Sequence, residues 1–293
     1  KYAKADLLTE MVYEFTELQG VMGYYYAKSF GMHPLVALAI KEQYLPTGED
    51  SALPSHILSA ILALSIKLDN IFALFSIDKI PTGSKDPFAL RRAANGVIKI
   101  ITHYDLDFDL LYDIPRLYQA GGYKPSDMKR IEQFFIERLE GALKINPSII
   151  RSVLKARVNN KRVLNLKSII RNAKALNSFF EKSDKQALVS LFKRVANILS
   201  DEIKPTHIDE SLLKLPEEIA LFQALKSLKS QTFTADADSQ ITTLFRLKEP
   251  LEAFFNSVLV NDENNAIKTN RQMLVFSVHS EFLRIGDMRE ITL

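Results

Sequence analysis

The side chains best placed to do chemistry in this sequence are basic ones that lie together without acids. From Gly141 to Phe180 there is no Asp or Glu, and the same stretch holds Lys144, Arg151, Lys155, Arg157, Lys161, Arg162, Lys167, Arg171 and Lys174, with Asn159, Asn160 and Asn165 among them. The whole chain is nearly balanced, with 38 Lys and Arg against 35 Asp and Glu. A block of one sign inside a balanced chain asks for a polyanion, because each phosphate neutralised releases counterions and adds sequence-independent affinity. The competing reading is a solvated helix face or a patch that meets an acidic partner. Nine basic residues without an acid favour nucleic acid, with Arg151, Lys155, Arg157, Lys161 and Arg162 as the candidate phosphate contacts.

Other chemistry is sparse. Gly83-Ser84-Lys85 lacks the upstream glycine of a phosphate-binding loop, and neither a Gly-x-Ser-x-Gly elbow nor a His-Glu-x-x-His pair occurs. The five histidines, at 33, 56, 103, 207 and 279, are scattered, and none has metal-ligand spacing from another. Asp105, Asp107, Asp109 and Asp113 interleave with Leu106, Phe108, Leu110 and Leu111, which suits a solvated helix start better than a metal site. Cysteine is absent, which excludes disulfides, thiolate metal sites and a cysteine nucleophile, and fits a reducing compartment. No complete catalytic site and no metal site are expected.

Helices must position these residues. Apolar side chains recur at helical spacing through Leu7, Met11, Phe15, Leu18 and Met22, and alternating strand patterns are nearly absent. Further helices are predicted from Pro34, from Ile57 to about Phe75, from Asp86-Pro87, and at about 108–119, 126–145, 147–158, 162–181, 184–200, 216–230, 238–260 and 262–285. Asp86 supplies a capping carboxylate, and Pro87 suits a first helical turn. Breakers cluster at Gly121-Gly122-Tyr123-Lys124-Pro125, and Asp201 to Pro216 is a second polar joint. The opening residues do not read as a signal or transit peptide, and the apolar run Ile57 to Leu68 is too short to cross a bilayer, so no membrane association is expected. Lys1 suggests a fragment of a longer chain.

Several segments carry a family resemblance. They are Lys4 to Leu7, Glu14 to Gly23 with Tyr26-Ala27, Tyr44-Leu45-Pro46, the long run Pro81 to Gly96, Lys193 to Leu199, Ala253 to Val260, Asn270-Arg271, and Arg284-Ile285-Gly286-Asp287. In this order they resemble the β subunit of bacterial α2β2-type glycyl-tRNA synthetases, in its C-terminal half. The resemblance implies an all-α chain: an HD-like helical domain at 1–122, a basic helical linker at 123–183, and an anticodon-binding helical bundle at 184–293 similar to that of arginyl-tRNA synthetases. It implies a subunit of a ligase that recruits and orients tRNA(Gly). The α subunit then carries ATP-dependent aminoacylation, so ATP and Mg belong there and this chain binds no cofactor. The implied partners are tRNA(Gly) and the α subunit, in the cytoplasm.

HD phosphohydrolases hold a divalent metal through a His-Asp pair, which is absent here, and Ser65-Ile66 stand where the related helix usually reads Ala-Asp. A scaffold is therefore expected rather than a hydrolase. Within the motifs, Lys85, Arg91 and Arg92 suit a grip on tRNA phosphate or on the α subunit, or equally an internal structural role. Lys193, Arg194 and Asn197, joined by Lys268 and Arg271, suit an RNA loop, where cations hold phosphate and an amide reads a base edge. Phe254 and Phe255 read as core. The alternative for the whole chain is a stand-alone HD-type phosphohydrolase or a protein scaffold.

Overall fold

A computed structural model describes residues 2–199, 207–230 and 236–292. The chain forms two compact units, one of residues 1–144 with 165–167 and one of residues 145–164 with 168–293. The division falls inside the segment read as a linker, and Gly121-Gly122 lies within the first unit. Residues 201–206 of the second polar joint lie outside the described residues.

The first unit contains α1 (Glu10–Glu14), α2 (Val21–Ser29), α3 (Pro34–Glu42), α4 (Ile57–Phe75), α5 (Leu90–His103), α6 (Asp113–Ala120) and α7 (Met128–Leu143). Two of the scattered histidines start helices. His33 Nδ1 accepts from the Leu35 amide at 3.2 Å, and His56 Nδ1 accepts from the Leu58 amide at 3.1 Å. The aspartates at 109 and 113 serve the same end. Asp113 accepts from the Asp109 amide at 2.8 Å, and Asp109 accepts from Leu111 at 2.8 Å, which closes the turn entering α6.

Helices α2, α3, α4 and α5 pack in sequence, and α7 covers α5. Small residues let α4 and α5 approach: Ala60, Ala63 and Ala94 are fully buried, together with Ile71, Leu90 and Ile100. Lys67 crosses this interface. Its Nζ donates to the carbonyls of Tyr44 (3.0 Å) and Pro46 (3.1 Å), and its stem lies where a Cβ on residue 96 would sit, so Gly96 makes room for it. Burial pushes the Lys67 ammonium down to about 8. At 19 residues, α4 is long and apolar enough to cross a membrane by length and composition, which corrects the expectation of a run too short to do so. Here it is packed between α3 and α5.

The second unit contains α8 (Pro147–Leu154), a two-stranded sheet of β1 (Arg157–Val158) and β2 (Lys161–Arg162), most of α9 (Leu166–Glu181), α10 (Lys185–Ile198), α11 (Pro216–Ser230), α12 (Ala237–Leu244), α13 (Lys248–Ser257) and α14 (Asn265–Phe282). Its core is aromatic. Phe282 meets Phe192 and Phe245 edge-on at 5.0 and 5.2 Å, and Phe254 and Phe255 are both buried, as their apolar stripe requires. The segment after α14 closes onto α8. The Asp287 amide donates to Ser152 O at 2.9 Å, and a Cβ at Gly286 would lie 2.9 Å from the Ser152 carbonyl carbon and oxygen, a backbone contact that only glycine permits.

The all-α expectation stands, with corrections at element ends. Helix α5 begins at Leu90, not Asp86. Ala89 is left-handed (φ 55°), and the Asp86 carboxylate caps the helix from four residues before its first residue, accepting from Leu90 and Arg91 at 2.9 Å each. The predicted helix 238–260 breaks at Phe245–Leu247, because Pro250 has no N–H to offer the Arg246 carbonyl. The helical run from Leu7 breaks into shorter pieces, since buried Asp6 turns its carboxylate to the amides of Gly20 (2.6 Å) and Gly23 (3.3 Å).

Candidate nucleic-acid interface

The helices predicted at 147–158 and 162–181 overrun a β-hairpin. Arg157 pairs with Arg162 and Val158 with Lys161, and the tip is Asn159-Asn160 with φ of 51° and 60°. Two consecutive left-handed residues make the tight turn whose twist matches the strands, and asparagine tolerates that conformation better than other chiral residues. The Asn-Asn dipeptide between basic and β-branched residues was the available signal. At its base, the Arg157 amide donates to Leu283 O at 2.7 Å, which ties the hairpin to the end of α14. All six residues from Arg157 to Arg162 are exposed. Like charges directly opposite on a hairpin repel, so this ribbon gains when an anion lies on it.

The acid-free block is not acid-free in space. Lys144 lies 3.7 Å from Glu49, Lys155 2.6 Å from Glu290, and Lys167 2.5 Å from Asp105. Such partly exposed pairs are worth about 0–1 kcal/mol each, and a phosphate competes for them readily. Arg151, Arg157 and Lys161 are exposed and have no acidic partner within ion-pair distance among the described residues.

Behind the hairpin lies a cavity of about 930 Å³, into which three of the sequence candidates converge: Lys155, Arg157 and Arg162. Asn159 and Asn160 from the tip and Phe276, His279, Ser280, Arg284 and Arg289 from α14 and the segment after it complete much of the lining. Two acids in the wall are engaged. Glu281 pairs with Arg284 at 3.1 Å, and Asp287 with Arg289 at 2.7 Å. His279 is buried and its Nδ1 has no partner. Burial and, to a smaller degree, the Arg289 charge push its pKa down to about 4 against the opposing pull of Asp287, so the ring is neutral near pH 7. Phe276, Arg284 and Arg289 are not legible as site residues in the sequence, because only the folding of α14 and of the segment after it puts them beside the hairpin.

The remaining candidates separate. On α10, Lys193 and Asn197 are exposed one turn apart. Arg194 is also exposed but held against α13, where it donates to Asn256 Oδ1 at 3.0 Å and to the Phe255 carbonyl and covers the Phe255 ring at 4.8 Å. Lys268 is half-buried. Arg271 is buried, bonded to Glu218, to Asp262 at 2.7 Å and to the Leu259 carbonyl at 2.8 Å, so the surface face expected of it with Lys268 is corrected to an internal ion-pair network. In the first unit, Lys85 and Arg92 are exposed, whereas Arg91 donates to Gly83 O at 2.6 Å. That bond braces a tight turn in which Thr82 and Lys85 exchange backbone hydrogen bonds of 3.1 and 2.9 Å.

On α4, where the resemblance to HD-type helices implies a missing metal ligand, Ser65 donates to Ile61 O at 2.8 Å, and Asp69 is exposed and accepts from the Tyr123 hydroxyl. Among the described residues no group of three or more His, Cys, Asp or Glu side chains is arranged to hold a metal.

Residues 1–158 match the sequence model of the glycyl-tRNA synthetase beta subunit. The glycine–tRNA ligase beta subunit of Helicobacter pylori (strain Shi470) is 48% identical over 301 aligned residues, which cover 100% of this chain and 42% of the relative. The corresponding proteins of Nitrosomonas eutropha and of Pseudomonas aeruginosa (strain LESB58) are 36% and 35% identical, over 99% and 98% of this chain and 43% of each relative. The chain thus spans less than half the length of these relatives. With over half of its residues inside the family match and related sequence along the rest, the chain belongs to the glycyl-tRNA synthetase beta subunit family.

Proposed function

We propose that this chain is the tRNA-holding portion of a glycine–tRNA ligase: it recruits and orients tRNA(Gly) while the α subunit carries out ATP-dependent aminoacylation. In this reading the two subunits form an α2β2 enzyme in the cytoplasm. ATP and Mg act at the α subunit, and this chain binds neither. Residues 1–122 serve as an HD-like scaffold and 184–293 as an anticodon-binding bundle. Lys193 and Asn197, with Lys268 at its margin, form a second contact surface, and Lys85 and Arg92 a third that meets tRNA or the α subunit.

The observation that carries this reading is the β1–β2 hairpin, which presents Arg157, Lys161 and Arg162 together on exposed backbone with like charges in register. A ribbon of that kind has a clear use against a phosphate backbone and little use in a protein core. The test is binding of a tRNA(Gly) transcript and of a non-cognate tRNA at two salt concentrations. Affinity should fall steeply with salt, and the triple reversal R157E/K161E/R162E should weaken binding and flatten the salt dependence. Unchanged binding by a folded triple variant rules the hairpin out as the phosphate-facing surface.

A further inference from the structure

We propose that the cavity behind the β1–β2 hairpin receives one unstacked nucleotide of the bound RNA, its phosphate on Arg157 and its base against Phe276. This rests on the RNA-holding role proposed above and names a site within it.

The cavity has the size and the mixture of groups that a nucleotide needs. Its volume, about 930 Å³, lies in the range of small-molecule sites and leaves room for a base with its sugar and phosphate. The rim is cationic, and the acids in the wall are already paired with Arg284 and Arg289, so an entering anion meets guanidinium groups before it meets uncompensated carboxylate. The interior is different in kind. Phe276 offers a partly exposed aromatic ring and buried His279 an uncharged imidazole with a ring nitrogen left unpartnered, while the amides of Asn159 and Asn160 at the exposed tip offer both donors and acceptors.

Cations beside an aromatic ring and neutral polar groups are the arrangement by which proteins hold a single-stranded base: phosphate on the cation, ring stacked, edge hydrogen-bonded. A base inside a duplex has its faces stacked and its pairing edge occupied, so only a nucleotide displaced from the helix uses such a pocket. A free nucleotide has the same chemistry and is the competing source. The hairpin favours RNA, because Lys161 lies on the same ribbon outside the cavity lining, where a neighbouring phosphate would follow the first.

The composition of the chain makes the test clean. It has no Trp and no Cys. F276W therefore introduces a single indole, whose fluorescence a stacked base quenches. S280C introduces a single thiol on the cavity wall by a nearly isosteric change, and it decides the question if F276W does not fold. RNA binding is measured in parallel from the anisotropy of a labelled tRNA(Gly) transcript, with AMP, GMP, CMP and UMP titrated separately.

The expected result is that the transcript quenches the F276W indole and slows reaction of the S280C thiol with a disulfide reagent severalfold, in step with binding. F276L should weaken binding about 5- to 100-fold, as loss of one stacked base does. A transcript that binds while the indole and thiol stay unaffected overturns the pocket and leaves the RNA-holding role standing. A transcript that does not bind overturns both. Quenching by a free mononucleotide at concentrations where the transcript has no effect overturns the assignment to RNA.

Discussion

Arg157 and Arg162 are register partners across the β1–β2 hairpin, two exposed guanidinium side chains on directly opposed backbone positions. Like charges opposite one another weaken a strand pair by a few tenths of a kcal/mol. The arrangement makes sense as a grip on phosphate, and it gives the first prediction.

Neutralising one member should separate stability from binding. R157Q should leave the unfolding free energy within about 0.5 kcal/mol of the parent, as surface changes do. It should also lower affinity for a tRNA(Gly) transcript and reduce the slope of log K against log salt by about 0.7–0.9, one phosphate contact. Urea unfolding and salt-dependent anisotropy measure the two effects, and an unchanged slope would remove Arg157 from the interface.

Arg271 should behave in the opposite way. Its guanidinium is buried against the fully buried Glu218 and against Asp262, and Glu218 also accepts from the amides of Lys214 and Leu215 at the start of α11. Removing the cation leaves buried carboxylate without its partner, at a cost of about 3–5 kcal/mol. R271A should therefore shift the urea midpoint strongly, whereas K268A should hardly move it. A stable R271A protein with lost RNA affinity would restore Arg271 as a contact residue.

Gly96 and Lys67 test the packing of α4 on α5. A methyl group on residue 96 would lie 2.8 Å from the Lys67 Cε, and the Nζ beyond it is pinned by two carbonyls. G96A should destabilise the first unit by about 1–3 kcal/mol. The double variant K67A/G96A should cost less than the sum of the single changes, because the group that clashes is gone. Strict additivity in a double-mutant cycle would contradict the contact.

His279 sets an acid limit on the second unit. Its folded pKa is pushed down to about 4 from 6.5, so the ring is neutral in both states above pH 6.5. As pH falls below that, the unfolded chain takes up a proton that the folded chain refuses, and stability is lost until the folded group titrates near 4. The loss is roughly 3 kcal/mol at most. Asp287, whose pKa is also lowered, adds to the acid loss at lower pH. Unfolding curves of the parent and H279Q at pH 7 and pH 4.5 isolate the histidine. The variant should show the shallower decline, and parallel declines would refute the assignment.

The helical class, the lack of thiol chemistry, the basic block and the family segments all stand in the sequence itself. Each is a local property, a count, a period of 3.6, or a short motif, and needs no knowledge of where distant residues go. The same holds for the Asp86 carboxylate as a helix cap, although its helix begins at Leu90. The Asn159-Asn160 turn was equally local, but helical periodicity on both sides obscured it.

What tertiary structure decided is which charges face water and which face each other. Lys167 finds Asp105 62 residues away, Lys155 finds Glu290 135 residues away, and Arg271 turns inward to Glu218 53 residues before it. Sequence counts charges along the chain, but Coulomb attraction and desolvation act over a few ångströms in space. The forty-residue block read as one phosphate-binding surface therefore loses the cations that folded acids claim, and the cavity beside the hairpin exists only because α14 and the segment after it fold next to the strands.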